Sequence, residues 1–142
     1  MYNCRIIVID GKIKGIRAKM NLADGDNYYE TRWFGFWKEP KKISQFKLPK
    51  TIQEITGQKE VPIGDFLIEF NDTTLAYEIC EESWISNNPM IDAALDGAEI
   101  VVNPSASYVE RGKLERKMQM FKEATQRHGG CYLYVNAKGA IG

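Results

Sequence analysis

Two side chains in this sequence stand where covalent chemistry could be done. Cys80 closes the apolar run Leu75-Ala76-Tyr77-Glu78-Ile79-Cys80 and is followed by the acidic segment Glu81-Glu82-Ser83-Trp84. A cysteine that ends a buried strand sits at the rim of a sheet, where a nucleophile can reach a substrate carbonyl. The thiolate is the reactive form, so such a site also needs a nearby cation or base. Lys19, sixty-one residues upstream, ends another strand-like segment and could supply the charge. Glu81 and Glu82 act against a thiolate. Taken singly, these residues have plainer readings. Cys80, Cys4 and Cys131 read as core thiols, because cysteine is among the most buried residue types. Lys19 reads as a solvated surface cation, Ser105 and Ser107 as turn formers, and His128 as a cation at a helix C-terminus.

The elements that would position these side chains follow from the apolar pattern. Ile6 to Ile9 reads as a short buried strand, Asp10-Gly11 as a hairpin turn, and Ile13 to Ala18 as the returning strand that delivers Lys19. The stretch from Met20 to Lys50 is aromatic and lacks a clean period, so a long functional loop is expected there. Val61 to Asp65 reads as a turn, Phe66 to Phe70 as a strand, and Asn71-Asp72 as a second hairpin turn into the strand that ends at Cys80. Asn88-Pro89 starts a short helix with Met90, Ile91, Ala94 and Leu95 on one face and Gly97 as its stop. Glu99 to Val102 is a further buried strand, ending in the polar turn 103–107. Leu114, Met118, Phe121 and Thr125 recur at helical spacing. Gly129-Gly130 stops that helix, and Cys131 to Val135 is a last buried strand. Alternation of strands and helices gives an α/β class with added hairpins.

Composition narrows the function. The chain of 142 residues carries 19 basic and 19 acidic side chains and is 44% hydrophobic, an ordinary globular balance. No basic excess points to nucleic acid or an anionic membrane. No apolar run approaches the ~20 residues of a membrane span, and Met1-Tyr2-Asn3-Cys4-Arg5 does not read as a secretory signal. Three widely spaced cysteines and one histidine make neither a disulfide framework nor a metal cluster, so no metal site is expected. A reducing, cytoplasmic setting is expected. The abrupt start and stop in strand-like sequence lead to the expectation of a piece of a longer protein.

Three stretches carry a resemblance. Ile16-Arg17-Ala18-Lys19-Met20-Asn21-Leu22-Ala23 is similar to a catalytic-lysine segment, Asn27 to Phe34 to an NYxExRWF motif, and Glu78 to Trp84 to an EICEELW nucleophile segment. Segments 61–65, 95–100, 103–107, 129–133 and 136–139 extend the match in order. On these residues the chain resembles the nitrilase (carbon–nitrogen hydrolase) superfamily, and within it the glutaminase domain of glutamine-dependent NAD synthetases. The resemblance implies a nitrilase-type αββα sandwich, of which this chain is the middle portion. It implies that Cys80 attacks the side-chain amide of L-glutamine to form a thioester and release ammonia. Lys19 then stabilises the oxyanion and thiolate, and Glu30 is a supporting glutamate beside the lysine. The N–H following Cys80 would complete an oxyanion hole, a donor commonly worth about 3 kcal/mol.

Tyr28, Glu81, Ser105 and Ser107 match pocket-lining positions, and Arg111 or Lys113 could meet the glutamine carboxylate. The family's general-base glutamate precedes every segment matched here, so that glutamate is expected to be absent from this chain and the isolated chain inactive. The implied partners are a covalently linked synthetase domain, which would hold ATP and Mg, and further copies in a homo-oligomer. No cofactor is implied for this part. Ser83 stands where the motif usually has leucine. Alternatives left open are another carbon–nitrogen hydrolase, such as an ω-amidase-like enzyme, and a catalytically dead truncated copy.

Overall fold

The computed structural model describes residues 1–25 and 27–138, so Gly139 of the last matched segment lies outside the described residues. The chain divides into two compact units, Met1–Phe66 and the residues from Leu67 onward.

The first unit begins with β1 (Cys4–Ile9) and β2 (Lys12–Ala18), paired antiparallel with Cys4 opposite Ala18 and a register shift between Ile7 and Val8. Asp10 and Gly11 link them with φ of 52° and 71°, the doubly left-handed turn that the right-handed strand twist favours. β1 is not the buried strand its run of isoleucine and valine suggests. It lies at a sheet edge, where Ile7 is buried and Ile6 and Val8 are exposed.

The stretch expected as one long loop holds more structure than its lack of period indicates. β3 (Asp24–Gly25) and β4 (Tyr28–Tyr29) form a small hairpin, Glu30–Arg32 a 3-10 turn, and β5 (Ile43–Lys47) a full strand. A short helix, α1 (Lys50–Thr56), follows and ends at left-handed Gly57. Segment 61–65, read as a turn, is instead mostly the interior strand β6 (Glu60–Gly64), in the order β1-β2-β6-β5. Parallel pairing to β2 is confined to Ile63 and Gly64, after the proline, so the missing N–H breaks no rung there. Gly64 has φ of 146°, and a Cβ there would meet the Lys42 carbonyl oxygen at 2.1 Å. Ile13, Ile16, Ala18, Leu48, Val61 and Ile63 form this unit's core, with Cys4, Trp37 and Ile52 packed against it. Truncating one of its isoleucines to alanine should cost roughly 2–5 kcal/mol.

The second unit is a βαβαβ arrangement preceded by a hairpin strand. Its elements are β7 (Ile68–Glu69), β8 (Thr74–Tyr77), α2 (Pro89–Leu95), β9 (Ile100–Ser105), α3 (Lys113–His128) and β10 (Cys131–Asn136). The sheet order is β10-β9-β8-β7, with β8, β9 and β10 mutually parallel and β7 antiparallel to β8. Parallel neighbours need crossovers, and α2 and α3 supply them. Asn88 caps α2 by accepting from the Met90 N–H at 2.7 Å, with Pro89 in the first helical position. Gly130 is held at φ of 72°, and a Cβ there would lie 2.3 Å from the Glu99 carbonyl oxygen.

Several boundaries differ from the sequence reading. The strands expected at 66–70 and 75–80 are shorter, and β8 stops at Tyr77, before Cys80. Asn103 to Ser105 belong to β9 and not to a turn. Of the expected α2 face, Met90 is buried while Leu95 is exposed; on α3, Phe121 and Ala124 pack inward while Leu114 and Met118 are exposed. β10 is an edge strand, so Cys131, Leu133 and Val135 face outward and Cys131 is not a core thiol.

Candidate active site

In the first unit the geometry converges on Glu30. The small β3–β4 hairpin, which contains Tyr28, leads straight into the 3-10 turn that starts at Glu30. Lys19 follows β2 and is 1% exposed, so it is a buried cation and not a solvated one. Its Nζ lies 2.5 Å from Glu30 Oε2. The same oxygen accepts the Ala23 N–H at 2.6 Å, and Oε1 accepts from Asn3 Nδ2 at 2.7 Å. Burial pushes the Glu30 carboxyl up, but the Ala23 N–H, the Lys19 ammonium and the Asn3 amide together outweigh it and hold the carboxyl below its usual range. Lys19 is fixed at both ends of its own backbone. Its N–H donates to the Asn3 carbonyl at 2.8 Å, and its carbonyl accepts from Trp37 at 2.9 Å. Arg17, also buried, pairs with Asp65 at 3.2 Å and donates to the Ala18 carbonyl, which braces the strand end before Lys19. Asn3 is the residue that sequence reasoning missed here; a polar side chain before an apolar strand gives no signal of a partner 27 residues away.

The second unit gathers its polar groups at the carboxyl ends of three parallel strands, the usual place for ligand chemistry in an open α/β sheet. Cys80 opens a 3-10 turn, Cys80–Ser83, with φ of 50°. Left-handed backbone at a non-glycine residue costs about 1–3 kcal/mol and persists only where the surroundings enforce it. Here they do. The Cys80 N–H donates to Asn103 Oδ1 at 3.0 Å, and its carbonyl accepts from the Ser83 hydroxyl at 2.9 Å. Glu82, fully buried, turns its carboxylate back to the Ile79 N–H at 2.7 Å. The serine in place of the motif's leucine thus contributes a hydrogen bond to the Cys80 carbonyl. The Cys80 N–H is in turn committed to Asn103.

Behind Cys80 lies a buried polar cluster. Asn103 donates to the Tyr132 hydroxyl at 3.0 Å, and that hydroxyl donates to Glu78 Oε2 at 2.6 Å. Glu78 Oε1 accepts the Met90 N–H at 3.0 Å. Burial pushes the Glu78 carboxyl up, the hydrogen bonds from Tyr132, Met90 and Asn103 oppose this, and the charge of Glu82 adds to it; the net shift is upward. Tyr132 is likewise raised, by burial and then by the Glu78 charge.

Ser105 is buried and donates to Asn103 Oδ1 at 2.8 Å. Ser107 is pinned by the Asn136 side chain, which accepts its N–H at 2.8 Å and donates to its carbonyl at 2.9 Å. Glu81 is partly exposed in the turn after Cys80. Arg111 lies in an exposed turn before α3, and the Lys113 ammonium sits 3.6 Å from the centre of the Tyr108 ring. The structure therefore joins Lys19 with Glu30 in one unit, and Cys80 with Ser105, through Asn103, in the other. Glu78 did carry a signal, since a charged residue inside an apolar strand needs a buried partner. Tyr132 and Asn136 carried none beyond strand alternation. Among the described residues, no group of three or more His, Cys, Asp or Glu side chains is arranged to hold a metal ion.

The carbon-nitrogen hydrolase family model matches residues 1–141. The glutamine-dependent NAD(+) synthetase of Mus musculus is 43% identical over 141 residues, which are 99% of this chain and 19% of that protein. Its counterpart in Saccharomyces cerevisiae is 44% identical, covering 99% of this chain and 20% of that protein. The crystal structure of a glutamine-dependent NAD(+) synthetase from Cytophaga hutchinsonii superposes with a TM-score of 0.76 at 32% identity, covering 95% of this chain and 20% of that one. These likenesses bear out the expected α/β fold of nitrilase type. The chain spans about one fifth of the length of the relatives it matches.

Proposed function

The chain belongs to the carbon–nitrogen hydrolase family, and we propose that it supplies the nucleophile and the cation of a glutaminase site in a glutamine-hydrolysing NAD synthetase. The observation that supports this most is Cys80 itself, held left-handed just beyond the carboxyl end of β8 with its N–H and carbonyl both anchored. In this reading the Cys80 thiolate attacks the side-chain amide carbon of glutamine, forming a C–S bond and placing negative charge on the carbonyl oxygen. Lys19 supplies positive charge to that oxygen, and Glu30 keeps the ammonium in place. The C–N bond breaks, and ammonia leaves with a proton delivered by the general base. Water then adds to the glutamyl thioester, the thiolate leaves, and glutamate is released. The base is a glutamate outside these 142 residues. Tyr28, Glu81, Ser105 and Ser107 line the substrate, and Arg111 or Lys113 meets its carboxylate. The ammonia feeds ATP-dependent amidation of nicotinic acid adenine dinucleotide in a linked synthetase domain, and the protein works in the cytoplasm as a homo-oligomer.

The test is ammonia release from glutamine by the protein expressed from its native gene. Cys80→Ala should lower kcat roughly 10⁴-fold or more, and the 142-residue chain alone should give no turnover for want of its base. Hydrolysis unchanged in Cys80→Ala contradicts the reading.

A further inference from the structure

Asn103 presents two chemically different ends of nearly the same shape, and only one of them suits Cys80. The Cys80 N–H and the Ser105 hydroxyl both donate to Oδ1. The Nδ2 end must then face acceptors, and it finds the Tyr132 oxygen at 3.0 Å and, more weakly, the Cys80 carbonyl at 3.4 Å and Glu78 Oε2 at 3.5 Å. A tyrosine hydroxyl can donate or accept. It accepts from Asn103 because its own proton is committed to Glu78 at 2.6 Å. Glu78 ends the chain as an acceptor that also takes the Met90 N–H. The path from the Cys80 N–H through Asn103 and Tyr132 to Glu78 therefore donates in one direction.

We propose that Asn103, Tyr132 and Glu78 are positioning residues that hold Cys80 in its left-handed, attack-ready conformation through a directional hydrogen-bond chain. The terminal acceptor Glu78 keeps the Asn103 amide from flipping. Were the amide to flip, its NH₂ would face the Cys80 N–H, donor against donor, and the Ser105 hydroxyl would have to turn to accept. The left-handed turn would lose the contact that sets it. Asn103 and Glu78 are 0% and 1% exposed, so water does not replace a lost partner there without rearrangement. The groups facing the Glu78 carboxylate are Tyr132 from β10, Asn103 from β9, the Met90 N–H from α2 and the repelling charge of Glu82 from the Cys80 turn. No cation is among them in the described residues. This inference rests on Cys80 being the nucleophile.

The experiment is alkylation by iodoacetamide of the protein expressed from its native gene, with the rates at Cys4, Cys80 and Cys131 read by peptide mass spectrometry. Exposed Cys131 is the internal reference, and half-buried Cys4 reports loosening of the other unit. In the unsubstituted chain Cys80 should react faster than Cys131. Tyr132→Phe should slow Cys80 roughly 3- to 10-fold and leave Cys131 unchanged, whereas mere loosening would speed the thiols together. Glu78→Gln should retain most of the rate, because its carbonyl still accepts the Tyr132 proton and the Met90 N–H keeps Asn88. Ser105→Ala, which removes one donor to Asn103 and disturbs packing least, should slow Cys80 about 2-fold and serves if Tyr132→Phe does not fold. A fast Cys80 that neither substitution slows overturns the positioning role. A Cys80 no faster than Cys131 in the unsubstituted chain contradicts the nucleophile reading itself.

Discussion

In the first unit Glu30 has an ammonium at 2.5 Å and two N–H donors on its carboxylate; in the second, Glu78 has a phenol, an amide and a backbone N–H but, among the described residues, no cation. Glu30 is partly exposed and Glu78 fully buried; burial pushes both upward, yet Glu30 ends below the usual carboxylate range and Glu78 above it. Hydrogen bonds alone did not hold Glu78 down. Glu78 is the more deeply buried and is faced by the Glu82 charge, whereas Glu30 has the Ala23 N–H and the Lys19 ammonium on its carboxylate. The pairing suits two tasks. Glu30 fixes a cation by remaining charged, while Glu78 fixes the direction of neutral hydrogen bonds by remaining an acceptor.

Substitution separates these roles most strongly. Glu30→Ala strands the buried Lys19 ammonium and should destabilise the first unit by roughly 3–5 kcal/mol. Glu78→Gln keeps an acceptor for the Tyr132 hydroxyl and should change the second unit by less than about 1.5 kcal/mol. Denaturant melts followed by the tryptophans of each unit, Trp33 and Trp37 in the first and Trp84 in the second, measure the two losses. Equal losses would break the comparison.

A smaller effect lies in pH. The lowered carboxyl of Glu30 contributes stability above its unfolded value of about 4.3, and this is lost as pH falls through the folded value. The raised carboxyl of Glu78 contributes stability that is full below about 4.3 and lost as pH rises through its folded value. Stability should therefore gain an upward slope with pH from Glu30 and a downward slope from Glu78. Glu30→Gln should flatten the acid limb of the first unit, and Glu78→Gln should remove the downward component in the second. Slopes of the same sign in the two units would refute the assignment of the two carboxylates.

What the sequence disclosed follows the same divide between local and distant determinants. The Asp10-Gly11 hairpin, the Asn88-Pro89 helix start and the Gly129-Gly130 stop are local signals, and each appears in the structure. The β8-α2-β9-α3-β10 order also follows from local pattern. β6 was hidden by Pro62, whose missing N–H is tolerated only because its pairing to β2 starts one residue later. The exposed faces of β1 and β10 were hidden because edge position is a property of the whole sheet. Lys19 and Cys80 were legible as residue types at strand ends. Their fixings were not, since Asn3 with Glu30, Cys80 with Asn103, and Glu78 with Tyr132 join positions 23 to 54 residues apart.

The central claim is that Cys80 carries the glutamyl group. The most direct test is to mix the protein expressed from its native gene with glutamine, quench in acid within the first turnovers, and map the peptides by mass spectrometry. The account predicts a glutamyl thioester on the Cys80 peptide, absent from Cys80→Ala and from the Cys4 and Cys131 peptides. Ammonia released with no adduct at Cys80, and undiminished in Cys80→Ala, would contradict it.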